Sequence, residues 1–205
     1  MKKVILQIDG IKDVRRISHD ADVALDLTKI ALQHLLYYDS ILMLDLFLFG
    51  NIYAPTPDIN DFISDVEDMQ HECASYVYNG PPLPAIYLCR LYTSLSTSRT
   101  LKEWLKMHMD QGFNILNHVD IRRFIQFGII KGLICRVHKY AVSSQYLRSL
   151  GQGKRIEVQG GEKLQKYADG CHSFDQITVE TNLGDAKIME QLRKFPTGDV
   201  EILYR

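Results

Sequence analysis

Val119–Tyr140 reads VDIRRFIQFGIIKGLICRVHKY, and how this stretch is read decides the fold class. Val119, Ile121, Phe124, Ile125, Gly128 and Ile129 recur close to helical spacing, which makes one face apolar. Gly132 supplies the helix stop. Beyond it, Ile134, Arg136 and His138 alternate with Cys135, Val137 and Lys139, the patterning of a strand. Helix, short glycine turn and basic strand together make the second half of a winged helix. The same grammar occurs three times in the chain. The expected fold class is therefore mainly α with short β wings (α+β), as three winged-helix-like units in tandem. Units of this kind serve recognition of macromolecules more often than small-molecule chemistry.

Working outward, the first unit spans residues 1–57. VILQID reads as a short apolar strand, and Ile11, Val14, Ile17 and Ser18 mark a short helix. Asp26 is placed to cap a longer amphipathic helix through Leu27, Ile30, Ala31, Leu35 and Leu36. ILMLDLF and NIYAP read as two wing strands over Ile41–Ala54, with Gly50-Asn51 as the hairpin turn. Residues 58–84 form an acidic helix and a Pro-rich connector. The acids are Asp58, Asp61, Asp65, Glu67, Asp68 and Glu72, with no Lys or Arg, so the net charge is −6. Phe62, Val66, Met69, Cys73 and Val77 lay a narrow apolar stripe along that helix.

The sign reverses in residues 85–142, a basic winged-helix-like unit with nine Lys and Arg against three acids, a net charge of +6. Helices are expected over Ala85–Leu95 and Thr100–Met109, the second opened by a Thr100/Glu103 capping box. Residues 143–169 are rich in Gly, Ser, Gln and Lys without a sustained period, and read as a flexible linker. Residues 170–205 form a small C-terminal unit. Ser173 caps a helix holding Phe174 and Ile177, Leu183-Gly184 breaks it, and Val200, Ile202 and Tyr204 close with a strand. The charge reversal marks Phe62, Asp65, Glu67, Asp68 and Met69 on one side, and Arg122, Arg123, Lys131 and Arg136 on the other, as candidate protein-interaction residues. The acidic helix is expected to pack across the basic unit or bridge to a partner, with Arg122 and Arg123 near its acids.

Composition excludes several classes. A net charge of −1 over 205 residues leaves no bulk attraction to nucleic acid or anionic lipid. The apolar run Ile41–Phe49 is broken by Asp45 and is too short to span a bilayer. MKKVILQIDG lacks the length and cleavage site of a signal peptide. Cys73, Cys89, Cys135 and Cys171 lie far apart, as expected for reduced cytosolic thiols. His71-Glu72-Cys73 resembles the opening of a zinc-deaminase motif, but the second cysteine pair is missing, and a solvated helix face is the plainer reading. Cys171-His172 has no second pair at zinc-finger spacing. Gly151–Lys154 and Gly160-Gly161 lack the Lys-Ser/Thr ending of a phosphate loop. No catalytic, metal or cofactor-binding residue is assigned, and no cofactor is expected. A winged-helix nucleic-acid-binding protein is the alternative reading. The first unit's recognition-position helix carries only Lys29 and His34 as charged donors, and the acidic segment cancels the basic unit's charge.

Ile17–Pro57, Val119–Tyr140 and GCHSFDQI (170–177) resemble the C-terminal half of the nitrogen permease regulator 2 family. The resemblance covers nearly the whole chain apart from residues 143–169. It implies a subunit of the GTPase-activating complex for Rag GTPases, which restrains TOR complex 1 during amino-acid starvation. It further implies a paralogous regulator 3-like partner, a large third subunit, and a cytoplasmic location at the vacuolar or lysosomal surface. The family's arginine finger lies in a longin-like N-terminal half with no counterpart in these 205 residues. The expectation is a non-catalytic assembly region that is not an enzyme by itself.

Overall fold

The computed structural model describes residues 1–80, 83–152, 162–194 and 200–205. Its elements run α1 (Lys2–Ile5), α2 (Val14–Asp20), α3 (Leu25–Tyr37), β1 (Ile52–Pro55), α4 (Ile59–Ile63), α5 (Met69–Val77), α6 (Ala85–Thr93), α7 (Leu101–Asp110), α8 (Ile121–Ile130), β2 (Ile134–Val137), β3 (Lys139–Ser143), α9 (Ser144–Gly151), α10 (Glu162–Gln165), β4 (Asp169–Ser173), α11 (Phe174–Thr181), α12 (Asp185–Leu192) and β5 (Val200–Tyr204). The fold is mixed, with many short helices and, among the described residues, two small antiparallel sheets.

The largest apolar cluster is organised by α8. The Asp120 carboxylate accepts from the backbone N–H groups of Arg122 (2.9 Å) and Arg123 (3.2 Å), which starts the helix. Ile121, Phe124, Ile125 and Phe127 then enter the core as their spacing requires. Gly128 faces Ile134 and Tyr92, where a Cβ would come within 2.8 Å of both, so glycine permits the close approach of helix and strand. Gly132 takes φ +73° and turns the chain directly into β2. The expected helix, glycine stop and strand are all present.

The strand divides at His138. β2 pairs with β1 (Ile52↔Val137 through Pro55↔Ile134), while β3 forms the centre of a second sheet, ordered β4-β3-β5. His138 and Arg205 exchange backbone hydrogen bonds at the crossing point. The hairpin expected over Ile41–Ala54 does not form. The carbonyls of Phe49 and Asn51 instead accept from the N–H groups of Lys102 and Leu101, satisfying free donors at the start of α7. The buried Asn51 amide donates to the Leu46 carbonyl (2.9 Å), which closes a loop. Residues 42–48 belong to no helix or strand.

Three further expectations are corrected. VILQID is not a strand: α1 and the turn after it bring Val4 and Ile8 onto Ile17 and Leu32, and leave Leu6 81% exposed. Asp26 lies within the first turn of α3, whose N-cap is Ala24 without a side-chain cap. The acidic helix is broken. Asp65, Glu67 and Asp68 all have positive φ, near 55–59°, around a short 3-10 turn at Val66–Asp68. Crowded like charges disfavour a continuous helix there. Gln70 stitches the break: its N–H bonds the Asp65 carboxylate, and its side-chain amide bonds the Phe62 carbonyl. The break lets Phe62, Cys73 and Val77 share one core while Val66 stays outside.

Residues 143–169 hold α9 and α10 and supply core residues. Leu164, Tyr167 and Ala168 pack with Ala141, Phe174, Ile177, Ile188 and Leu192. Their helical spacing lies hidden among polar neighbours; residues 153–161, with Gly153, Gly160 and Gly161, lie outside the described set. The expected capping box is present at Thr100/Glu103, and Ser173 caps α11 as expected, in a box that Gln176 completes. Gly184 caps α12 where the break was expected.

Candidate interaction surface

The acidic and basic segments meet through α5 and α8. Glu72 and Lys131 form an ion pair of 2.6 Å, and the Tyr76 and Phe127 rings lie 6.1 Å apart. Both charged side chains are partly exposed, so the pair contributes at most about 1 kcal/mol, and apolar burial carries the contact. Arg123 does not reach Asp65, Glu67 or Asp68. Its guanidinium lies 6.0 Å from the Tyr76 ring and 3.8 Å from Asp120. Arg122 lies 5.5 Å from the Phe47 ring. The acid that joins the two segments is Glu72, which the sequence reading did not single out as an interaction residue.

The remaining sequence-predicted residues separate by burial. Phe62 is 0% exposed, edge-on to Tyr92, and Met69 packs against the same core, so both serve the chain's own interior. Asp65, Glu67 and Asp68 are exposed at the helix break. Arg136 is drawn inward, its side chain 12% exposed and 3.1 Å from Asp175 on α11. Asp175 also meets His138 Nδ1 at 3.2 Å, and His138 Nε2 lies 3.5 Å from Asp45. This cluster joins the loop before β1, the crossing of the two sheets and α11.

The chemical motifs come apart in space. Cys73 is buried, accompanied by the Tyr92 hydroxyl at 3.8 Å, and desolvation pushes its thiol up to about 12. Such a thiol stays protonated and unreactive. His71 pairs with Asp68 on the exposed side. His172 Nδ1 lies 2.9 Å from Asp169, while Cys171 is exposed. Among the described residues no three His, Cys, Asp or Glu side chains could hold a metal ion.

Sequence reasoning missed the outward apolar surface of the first unit. Leu27, Ile30 and Tyr37 project from α3 into solvent, with Tyr38 just past its end, on the side away from buried Ala31, Leu32 and Leu35. Leu42, Met43, Leu46, Leu48 and Phe49 are exposed on the loop that follows. The signal was a helix apolar on both faces, which marks a surface needing a second cover. No described helix is long and apolar enough to cross a membrane.

Fold and surface together define a helix-rich mixed α/β protein that exposes apolar side chains along α3 and the loop after it. The family model described as Nitrogen permease regulator 2 matches residues 1–82 and 81–196. The chain belongs to this family. It is 33% identical over its full length to the Nitrogen permease regulator 2 homolog of Schizosaccharomyces pombe, covering 48% of that protein. It is 29% identical over 94% of its length to the GATOR complex protein NPRL2 of Drosophila melanogaster, covering 43% of it. Nitrogen permease regulator 2 of Saccharomyces cerevisiae is 35% identical over 38% of the chain and 12% of the yeast protein. The chain thus spans about half the length of the first two relatives.

Proposed function

We propose that the chain is a non-catalytic assembly region of a nitrogen permease regulator 2-like subunit. The complex it would serve is the GTPase activator of Rag GTPases, which inhibits TOR complex 1 when amino acids are scarce. The observation that carries this reading is family similarity extending through nearly all of a chain that turns α3 and the following loop outward as apolar surface. The proposed partners are a regulator 3-like paralogue and a large third subunit. Rag GTPases are engaged indirectly, and the complex holds the chain at the vacuolar or lysosomal surface.

Within this role the chain divides into units near 1–57, 85–142 and 170–205, with residues 58–84 bracing the second and Leu164–Ala168 joining the third. The three large apolar clusters support that division in part, with Phe47 and Tyr53 of the first unit packed into the core of the second. The arrangement β3-β4-α11-α12-β5 is consistent with a winged-helix-like third unit. The nucleic-acid alternative is not favoured, because Leu27, Ile30 and Tyr37 take up much of the outward side of α3 and leave Lys29, Gln33 and His34 as its few exposed donors.

Co-expression with the regulator 3-like subunit tests the assembly role: the two chains are expected to co-purify. Purified alone, the chain is expected to leave single-turnover GTP hydrolysis by a Rag-type GTPase unchanged. Acceleration abolished by substituting Arg122 or Arg136 would place catalysis within this chain and overturn the proposal.

A further inference from the structure

An open cleft of about 790 Å³ lies beside the first turn of α8, between that helix, the Phe47–Phe49 loop and the end of α5. Phe49, Tyr76 and Leu116 give it an apolar, largely exposed lining. Two arginines stand over aromatic rings in its wall: Arg122 over Phe47 and Arg123 over Tyr76. Ring contact restrains a guanidinium without using its N–H edge, although the Arg123 edge is already shared between Asp120 (3.8 Å) and the Tyr76 carbonyl (3.5 Å).

The cleft also contains two acids, and both already have donors. Asp120 accepts the backbone N–H groups of Arg122 and Arg123. Asp9 accepts those of Ile11 and Lys12, and these bonds hold its carboxyl below the usual range. Arg122 differs: its backbone N–H is used, but among the described residues its guanidinium has no hydrogen-bond or ion-pair acceptor. It is half-buried all the same. A partly desolvated cation oriented by a ring, in a cleft lined by both apolar and polar side chains, is complementary to a single carboxylate arriving with apolar neighbours.

We propose that this cleft receives an Asp or Glu side chain from a partner protein, carried on a short segment flanked by apolar residues. Arg122 is the principal contact and Arg123 the auxiliary one. The inference rests on the assembly role and names one surface through which it acts. Nucleic acid fits less well, because Asp9 and Asp120 would repel a polyphosphate backbone along the same wall.

The test uses the full chain co-expressed with the regulator 3-like subunit, as wild type, Arg122→Glu and Arg122→Lys. Circular dichroism and the unfolding midpoint verify that each variant is folded. Arg122→Glu is expected to weaken association at least about tenfold, with Arg122→Lys in between, because truncated or reversed charge pairs act mainly on dissociation. A photo-crosslinking residue at Phe49, on the cleft rim, is expected to capture a partner peptide containing Asp or Glu. Wild-type binding unchanged in folded Arg122→Glu, or a crosslink to a segment without an acid, overturns the cleft proposal and leaves the assembly role standing. Failure of the wild type to co-purify overturns both. Binding to a random-sequence DNA duplex that is lost in Arg122→Glu would assign the cleft to nucleic acid instead.

Discussion

Phe124 lies at the centre of the main core. Its ring stacks on Tyr92 with centroids 4.0 Å apart and lies nearly parallel to Trp104 at 6.1 Å. The Tyr92 hydroxyl donates to the Phe124 backbone carbonyl at 2.7 Å, so one tyrosine both packs on the residue and satisfies a backbone acceptor. Phe124→Ala is expected to cost about 3–5 kcal/mol in urea unfolding, since the surrounding rings cannot fully collapse into the space. Gly128→Ala should also destabilise, by roughly 1–3 kcal/mol, although alanine is the better helix former. The reason is the 2.8 Å approach of Ile134 and Tyr92 to the added methyl group. An unchanged midpoint for Gly128→Ala would mean that α8 and β2 can separate at little cost. The inward position of Phe124 was legible from helical spacing alone. The role of Gly128 was not, because a glycine's neighbours across a core are set by a strand several residues away and by a helix much earlier in the chain.

Helix α7 shows how local chemistry survives into the fold. Its Thr100/Glu103 capping box was legible because both partners lie within four residues, and reciprocal bonds form in any context that starts a helix there. The bonds from the Thr100 backbone and side chain lower the Glu103 carboxyl from its usual value of 4.5. Its pKa being depressed in the folded state, the stabilising contribution is present above the unfolded value and is lost as pH falls through the folded one. Glu103→Gln keeps an acceptor for the Thr100 N–H but removes the titration. The acid limb of a stability–pH profile below about 4.5 should therefore flatten, with little change at neutral pH. The acidic segment shows the opposite case. Its apolar spacing fits one helix, yet three residues in left-handed conformation divide it. The crowded acids weaken a continuous helix there, but they do not fix where it breaks; the position found places Phe62 and Cys73 in a shared core.

Across the whole molecule, the two sheets are joined by one residue, and the cluster of Asp45, Arg136, His138 and Asp175 holds that joint. Among the described residues Arg136 Nε is already buried without a hydrogen-bond partner, so removing the charge of Asp175 leaves the guanidinium poorly compensated. Asp175→Asn is expected to cost on the order of 1–3 kcal/mol, discounted because Asp175 is half exposed. Amide hydrogen exchange should quicken at β2 and β3 while the interior of α11 and α12 stays protected. Uniform protection in the variant would mean that backbone pairing alone holds the joint. None of this cluster was legible beforehand, since its members come from three separate parts of the chain. Only Arg136 was singled out, and for a contact with another protein.

The pairing of β1 with β2 also has a consequence in time. The two strands lie about eighty residues apart in sequence. As the chain leaves the ribosome, β1 and the apolar loop before it emerge long before their partner strand is made. At synthesis rates of roughly 5–20 residues per second, that interval lasts several seconds, far longer than the microseconds a local hairpin needs to close. Throughout that interval β1 lacks its partner strand, and the apolar side chains of Leu42–Phe49 and of the outer side of α3, largely exposed even in the finished fold, stand beside it. A nascent chain of this kind is a natural client for chaperones, and its yield should depend on whether a covering subunit is made alongside it.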